Sequence, residues 1–281
     1  MLRRRMAVLM ASSRTRSQLV AAVYGRIRAP LGAAVQRDPT HFSRKLATRL
    51  IAQYDRRGNH ECPCCSSRCA WFRPYLYMRP IRPNVTCPTC GSSERQRLLW
   101  LYLKNRTDFF SVPLQVLHFA PENCFKECFA TAPNLRYVST DLELSPVPMV
   151  QADITKLPFQ TGCFDVILCL HVLEHVSNDE AAIRELFRVL KPGGWAIAQV
   201  PIDKTRKVTF EDSNIISNDE RECAFGQFDH VRRYGLDYRS RLESAGFSVT
   251  VDKYIKELPA DVVDRYGLDC EEDIYVLNKP I

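Results

Sequence analysis

The sequence predicts an α/β fold: a doubly wound, mostly parallel sheet with a small N-terminal module held by cysteines. Three observations predict it. From Leu114 onward, short apolar runs alternate with segments of helical period, the pattern of a parallel sheet covered on both faces. Six of the twelve cysteines fall between Cys62 and Cys90. Charge divides along the same lines. Residues 1–60 hold 13 Lys and Arg against 2 acids, residues 61–107 hold 8 against 2, and residues 108–281 hold 18 against 28. Within a net charge of +7, a basic front precedes an acidic body, so attraction to phosphates or anionic lipid comes mainly from the front.

Composition sets the outer bounds. A chain of 281 residues, 46% apolar and 25% charged, is neither disordered nor collagen-like. It has room for one large domain, or a core domain with an appendage. No run of about eighteen uncharged apolar residues is present, so no membrane-spanning helix is expected. Twelve cysteines without a visible signal peptide read as thiols of a reducing compartment, some of them on metal, which points to the cytoplasm.

In chain order, residues 1–58 form a basic tail. Its first 40 residues carry eight arginines, no lysine and one acid, with weak helical amphipathicity over Leu19–Ile27. Three readings stand for it: a mitochondrial transit peptide, a basic helix making peripheral membrane contact, or a solvated tail. Residues 59–92 form the cysteine module. Residues 93–112 hold a connecting helix opened by Ser92 and Ser93. Its apolar stripe is Leu98, Leu99, Leu101 and Tyr102, with Arg95, Arg97 and Lys104 off the stripe.

Residues 113–281 carry the sheet. Strands are expected at Leu114–Phe119, Leu135–Thr140, Asp165–Leu170, Trp195–Val200, Phe247–Tyr254 and Asp273–Leu277. The run Val166-Ile167-Leu168 marks a strand buried on both faces. Asn178 caps a helix whose Ile183, Leu186, Phe187 and Leu190 share one face, and Lys191-Pro192-Gly193-Gly194 stops it. Residues 202–229 are polar, show little periodicity and read as an insertion over the sheet's carboxyl edge.

Two constellations carry chemistry. Cys62-Pro-Cys-Cys65 and Cys87-Pro-Thr-Cys90 are C-x-x-C pairs 21 residues apart. Four deprotonated sulfurs can close a tetrahedral zinc site, and with no position left open the zinc is structural. So small a segment cannot build a core without such a centre. Cys64, Cys69 and, more distantly, His60 are rivals for the first pair. The second constellation begins where the first strand runs into His118-Phe-Ala-Pro-Glu122. Asp141 follows Glu122 by nineteen residues, the spacing that brings a carboxylate onto ribose hydroxyls in a doubly wound fold. Asp153-Ile154, Leu157-Pro158-Phe159, Phe164-Asp-Val-Ile, Leu173-Glu-His175 and Arg188-Val-Leu-Lys-Pro-Gly-Gly194 then come in order.

This set resembles the class I S-adenosylmethionine-dependent methyltransferases over roughly residues 114–280. With the cysteine pairs, the Glu94–Leu103 helix and Phe225-Gly-Gln-Phe-Asp-His-Val-Arg-Arg-Tyr-Gly235, it looks like a bacterial group of these enzymes with an N-terminal cysteine-rich segment. The resemblance implies a Rossmann-like sheet of seven strands and S-adenosylmethionine as methyl donor. It implies that Ala120, Pro121 and Glu122 line the donor's methionine end and that Asp141 takes the ribose diol. It further implies that Asp153 accepts from the adenine amino group, that Ile154 packs on the ring and that His171 closes the pocket. One departure stands out. The first loop has no glycine, and Pro121 removes a backbone donor.

Methyl transfer needs alignment and, for a hydroxyl or amine acceptor, a base. The expected acceptor wall is Pro201, Glu211, Asp212, Gln227, Asp229, His230, Arg232 and Tyr234. His230 is the base candidate, with Asp229 beside it either in the chemistry or holding the cap loop. Glu174 and His175 read equally as the start of a helix. Three function classes follow. The first is a methyltransferase acting on an O or N atom of a small molecule or glycan. The second is an RNA methyltransferase holding phosphates on the basic front, with Trp71, Phe72, Tyr75 and Tyr77 stacking bases or filling the module's own centre. The third is a scaffold with a dead cofactor loop.

Overall fold

Apolar strands and capped helices appear in the computed structural model where the sequence pattern puts them. The structure describes residues 58–75, 82–142, 149–269 and 271–281; the basic tail, apart from Gly58, and Tyr77 and Arg79 lie outside this set. The described residues form two units. One runs to Leu98 and adds Pro259–Asp269; the other comprises Leu99–Leu258 and the residues from 271 on.

In the first unit, β1 (His60–Glu61) pairs antiparallel with β2 (Arg68–Cys69), and β3 (Arg73–Tyr75) with β4 (Arg82–Thr86). Its small core is Cys62, Cys69, Phe72 and Cys87. Helix α1 (Glu94–Arg106) starts here, and the expected stripe of Leu98, Leu99, Leu101 and Tyr102 is buried. Arg97 departs from expectation: it too is wholly buried. Its guanidinium stacks 3.6 Å from the Phe72 ring centre. It donates to the carbonyls of Val85 and Ser92 at 2.8 Å, and to those of Tyr266 and Gly267 at 2.6 and 2.8 Å. A buried guanidinium needs such a full set of acceptors. The last two come from the end of the helix Ala260–Tyr266, a segment that no local pattern linked to the cysteine module. Gly267 sits at φ +55°, and a Cβ there would lie 2.5 Å from the Phe72 ring, so no larger residue fits.

The second unit holds the sheet. Its strands are β5 (Leu114–Phe119), β6 (Leu135–Asp141), β7 (Val150–Gln151), β8 (Phe164–Leu170), β9 (Leu190–Gln199), β12 (Ser248–Asp252) and β13 (Ile274–Asn278), in the spatial order β12-β13-β9-β8-β5-β6-β7. β5 to β9 pair in parallel, and β13 runs antiparallel to both its neighbours. The chain order reverses at β5: β6 and β7 lie to one side, β8 and β9 to the other. Ligands of doubly wound sheets bind at the carboxyl ends beside such a reversal.

Helices α2 (Asn123–Thr131) and α3 (Asp179–Val189) follow β5 and β8. Asn178 caps α3 as expected, its side chain accepting from the Ala181 amide. The helix stops at Val189, earlier than the Lys-Pro-Gly-Gly run, because Leu190 already pairs with Phe164 as strand. The run instead forms an irregularity within β9, where a Cβ on Gly194 would lie 2.8 Å from the Asp165 carbonyl. Between β9 and β12 lies a cap. In it β10 (Phe210–Glu211) pairs with β11 (Arg232–Arg233), α4 (Asn218–Phe225) lies between them, and α5 (Tyr238–Glu243) follows. Ser217 and Glu220 close a reciprocal capping box on α4, a Ser-x-x-Glu signal present in a stretch that read as featureless. A short α6 (Tyr254–Glu257) follows β12. Among the described residues, no helix is long and apolar enough to cross a membrane.

Candidate active site and metal centre

The sheet brings the expected cofactor residues to one edge. Phe119 pairs with Thr140 on one side and Cys169 on the other. Ala120, Asp141 and His171 therefore leave three adjacent parallel strands at nearly one level. The Ala120 amide donates to Thr140 O and the His171 amide to Gln199 O, both at 2.8 Å. Immediately after these last ladder bonds the chain turns sharply. Ala120 has φ +44° and His171 φ +55°. Left-handed backbone at a residue with a Cβ costs about 1–2 kcal/mol and is held only where the surroundings demand it. Ala120 thus takes the conformation glycine would supply, which accounts for a first loop without glycine.

His118 was quoted in the motif without a role, and the structure supplies one. It is fully buried, with Nδ1 2.9 Å from Tyr137 Oη and Nε2 2.9 Å from Glu122 Oε2. This chain fixes the Glu122 carboxylate at the start of α2. Burial, helped by the Glu122 charge, pushes the Tyr137 phenol up. Pro121 is buried and Asp141 half-buried. Asp153 is exposed, and its Oδ1 accepts from both the amide and the hydroxyl of Thr155 at 2.8 Å. Ile154 is buried within the main core. Beside Asp141, the Thr140 hydroxyl is buried with no hydrogen-bond partner among the described residues. An orphaned hydroxyl and a carboxylate at the reversal point fit a polar ligand such as a nucleoside.

His230 and Asp229 lie next to the turn that follows β8, a 3-10 turn of Leu173–His175. The Val231 amide donates to Glu174 O at 2.9 Å. The rings of His175 and His230 meet edge to face with centroids 4.8 Å apart. His175 Nδ1 is 3.3 Å from Asp229 Oδ2, and the Asp229 Oδ1 accepts from Gln227 at 2.8 Å. Burial pushes the His230 imidazole below its ordinary value; His175 adds to this, and the Glu174 and Asp229 carboxylates oppose it. Burial pushes the Glu174 carboxyl up, but its hydrogen bond to His171 and the charges of His171 and His175 hold it below the usual carboxylate range.

Two residues of the expected acceptor wall, Arg232 and Tyr234, are tied into the scaffold. Arg232 is 2% exposed and donates to the carbonyls of Leu173, Val176 and Ser177 while pairing with Glu211. Tyr234 is buried against Asp179. These residues bolt the cap to the start of α3.

In the cysteine unit the two C-x-x-C pairs are near copies of each other. In one, Ser66 N donates to Cys62 O at 2.8 Å and Cys62 N to Ser67 O at 2.9 Å; in the other, Gly91 N donates to Cys87 O at 3.0 Å and Cys87 N to Ser92 O at 2.8 Å. Ser66 and Gly91 are both left-handed, at φ +56° and +77°. Cys65 thus occupies the place that Cys90 does. The sulfurs of Cys62, Cys65, Cys87 and Cys90 lie within 4.8 Å of one another. The Cys62–Cys90 and Cys65–Cys87 separations are 3.6 and 3.8 Å. A tetrahedron of Zn–S bonds of about 2.3 Å has edges of about 3.8 Å, so these four could hold zinc. The rivals fall outside this group of four, although the Cys64 thiol hydrogen-bonds that of Cys62. Cys64 Sγ is 3.9 Å from Gln96 O, Cys69 is in the core, and His60 bonds Asp264 O at 2.8 Å. Phe72 lies under Arg97 and is not available to stack a base.

The profile of a family described as a methyltransferase domain matches residues 117–198. Residues 117–198 of this chain are a methyltransferase domain. The match runs from β5 to β9 and includes all of the expected cofactor residues. Among curated relatives, an uncharacterized chloroplastic methyltransferase of Arabidopsis thaliana is 28% identical over 123 residues, 43% of this chain and 32% of that protein. The ubiquinone/menaquinone biosynthesis C-methyltransferase UbiE of Xylella fastidiosa is 49% identical over 47 residues, 17% of this chain and 19% of that one. The chain thus spans about a third or less of the length of the curated relatives it matches. Among solved structures, an S-adenosylmethionine-dependent methyltransferase of Mesorhizobium loti is 14% identical, covering 62% of this chain and 98% of that chain with a TM-score of 0.42. The methyltransferase domain lies wholly within the second unit; the cysteine pairs lie in the first.

Proposed function

We infer that the protein transfers a methyl group from S-adenosylmethionine to an oxygen or nitrogen of a small molecule or glycan. The observation that carries this reading is the alignment of Ala120, Asp141 and His171 on three adjacent parallel strand ends at the chain reversal. S-adenosylmethionine, when bound, supplies a methyl group on an already activated sulfonium. Asp141 holds the ribose diol. Glu122, fixed by His118, and the turn at Ala120–Pro121 hold the methionine end. Asp153 and Ile154 take the adenine, and His171 closes the pocket. Acceptor alignment falls to the cap, where His230 takes the acceptor's proton and Asp229 orients His175 beside it. The four cysteines hold a structural zinc, and a thiol-rich centre of this kind belongs in a reducing cytoplasm.

Calorimetry with S-adenosylhomocysteine tests the donor site. Asp141→Ala leaves the diol unpaired and weakens binding by about 1–3 kcal/mol. Equal affinity in the variant, or no binding by the parent, refutes the assignment. For the acceptor, labelled methyl incorporation is compared in cell extract with and without RNase. Product that survives RNase supports a small molecule or glycan; its complete loss moves the assignment to RNA.

A further inference from the structure

Three side chains converge at the carboxyl edge of the sheet in an arrangement that neither the methyl-donor site nor the cysteine cluster uses. One ligand atom each of Glu174, His175 and His230 lie within 4.8 Å of one another. Two come from the turn after β8 and the third from the cap, 55 residues later. The backbone bond from Val231 to Glu174 holds the two segments together.

Each of the three has one polar atom held from outside the cluster. His171 Nδ1 is 3.1 Å from Glu174 Oε1. His175 Nδ1 bonds the Asp229 backbone carbonyl at 3.3 Å and stands 3.3 Å from the Asp229 Oδ2. A ring nitrogen of His230 bonds the Phe225 carbonyl. What remains is one carboxylate oxygen and one nitrogen on each imidazole. The oxygen is Glu174 Oε2, on a side chain 2% exposed, and it has no hydrogen-bond partner among the described residues. A neutral imidazole that donates through one nitrogen offers only a lone pair at the other. Three acceptors are therefore left on side chains that meet here, one of them a buried, unpartnered carboxylate oxygen. Acceptors so placed repel unless a cation or a proton lies among them.

We propose that Glu174, His175 and His230 bind a divalent first-row transition cation. Two imidazoles and one carboxylate suit Mn²⁺, Fe²⁺, Co²⁺ or Zn²⁺. The outside partners match what metal-bound groups need: His171, Asp229 and the Phe225 carbonyl fix the orientation of each ligand. With bonds of about 2.1 Å the donors would lie about 3.0–3.5 Å apart, so binding draws them inward. Three protein ligands leave positions open. Resting on the reading of this edge as the acceptor pocket, a hydroxyl of the acceptor takes one of them, its pKa falls and its proton passes to solvent. With the cation bound His230 is a ligand, and the proton it takes in the cation-free site leaves through solvent instead.

The test uses the full chain with whatever metal its cysteines retain through purification. Mn²⁺ is the probe, because it is a hard ion that leaves thiolates to zinc. Electron paramagnetic resonance titration should find about one bound Mn²⁺ per chain. Glu174→Gln and His230→Gln should each weaken binding more than tenfold. Circular dichroism and S-adenosylhomocysteine affinity on the same samples show that the variants are folded. A folded parent that binds neither Mn²⁺, Co²⁺ nor zinc beyond the cysteine site overturns the proposal. So does unchanged Mn²⁺ affinity in both ligand variants. A parent that binds Mn²⁺ but not S-adenosylhomocysteine supports the cation site and refutes the donor reading, so the two fail separately.

Discussion

Tyr234 donates its phenol hydrogen to Asp179 Oδ2 at 2.7 Å, joining the cap to the first residue of α3 across 55 positions of sequence. Arg241 donates to Asp179 Oδ1 at 2.7 Å, and Arg232 stands 3.6 Å from the same oxygen. Burial pushes the Asp179 carboxyl up, but the bonds from Arg241 and Tyr234 and the charges of Arg232 and Arg241 hold it below the usual carboxylate range. A group whose folded pKa is depressed stabilises the fold above its unfolded pKa and loses that contribution as pH falls through the folded value. Asp179→Asn should therefore cost about 3 kcal/mol at pH 7, because two guanidinium groups lose their buried partner. In urea unfolding, the gap between parent and variant should narrow below about pH 4. A gap independent of pH would mean that Asp179 acts by shape rather than charge.

The copied geometry of the two cysteine pairs gives a second prediction. Protein purified without added metal should hold about one zinc, which Cys87→Ser and Cys65→Ser release and Cys64→Ser retains. Ser66 sits where Gly91 sits in the other pair, both left-handed. Ser66→Gly should then keep its zinc and be no less stable, within about 1 kcal/mol. Zinc lost from Cys64→Ser and kept in Cys65→Ser would place the ligand one residue earlier.

Much of the fold was legible because period and punctuation are local. The run at Val166–Leu168, the Asn178 cap and the C-x-x-C spacing each announce an element without reference to the rest of the chain. The missed features depend on distant partners. Arg97 falls off the apolar stripe of α1, and nothing nearby says that carbonyls of Tyr266 and Gly267 await it. The left-handed turns at Ala120 and His171 carry no glycine to mark them. Glu174 and His175 read as a helix start until the cap brings His230 against them. The capping box at Ser217 was readable, and polar composition masked it.

The turn at Ala120 can be tested directly. Glycine reaches φ +44° without strain, so Ala120→Gly should bind S-adenosylhomocysteine at least as well as the parent. Valine, branched at Cβ, is a poor fit to that backbone and should weaken binding about tenfold or more through a loss of 1–2 kcal/mol or above. If both variants match the parent in calorimetry, the turn does not shape the donor site.

The cap and the donor site should separate in kinetics. His230 lies in the cap, while Ala120, Asp141 and Asp153 belong to the strand ends and loops of the sheet. His230→Ala should lower turnover by about a hundredfold, the usual contribution of a group that handles the acceptor's proton. Its affinity for S-adenosylhomocysteine should stay within about twofold of the parent, because the lost interaction is made with the reacting group and not with the donor. Arg232→Lys serves as the comparison. It keeps the charge but cannot satisfy the carbonyls of Leu173, Val176 and Ser177 together, so it should loosen the cap and raise KM as well as lower kcat. If His230→Ala instead loses donor affinity while kcat is preserved, His230 belongs to the donor pocket and the assignment of the cap to the acceptor is wrong.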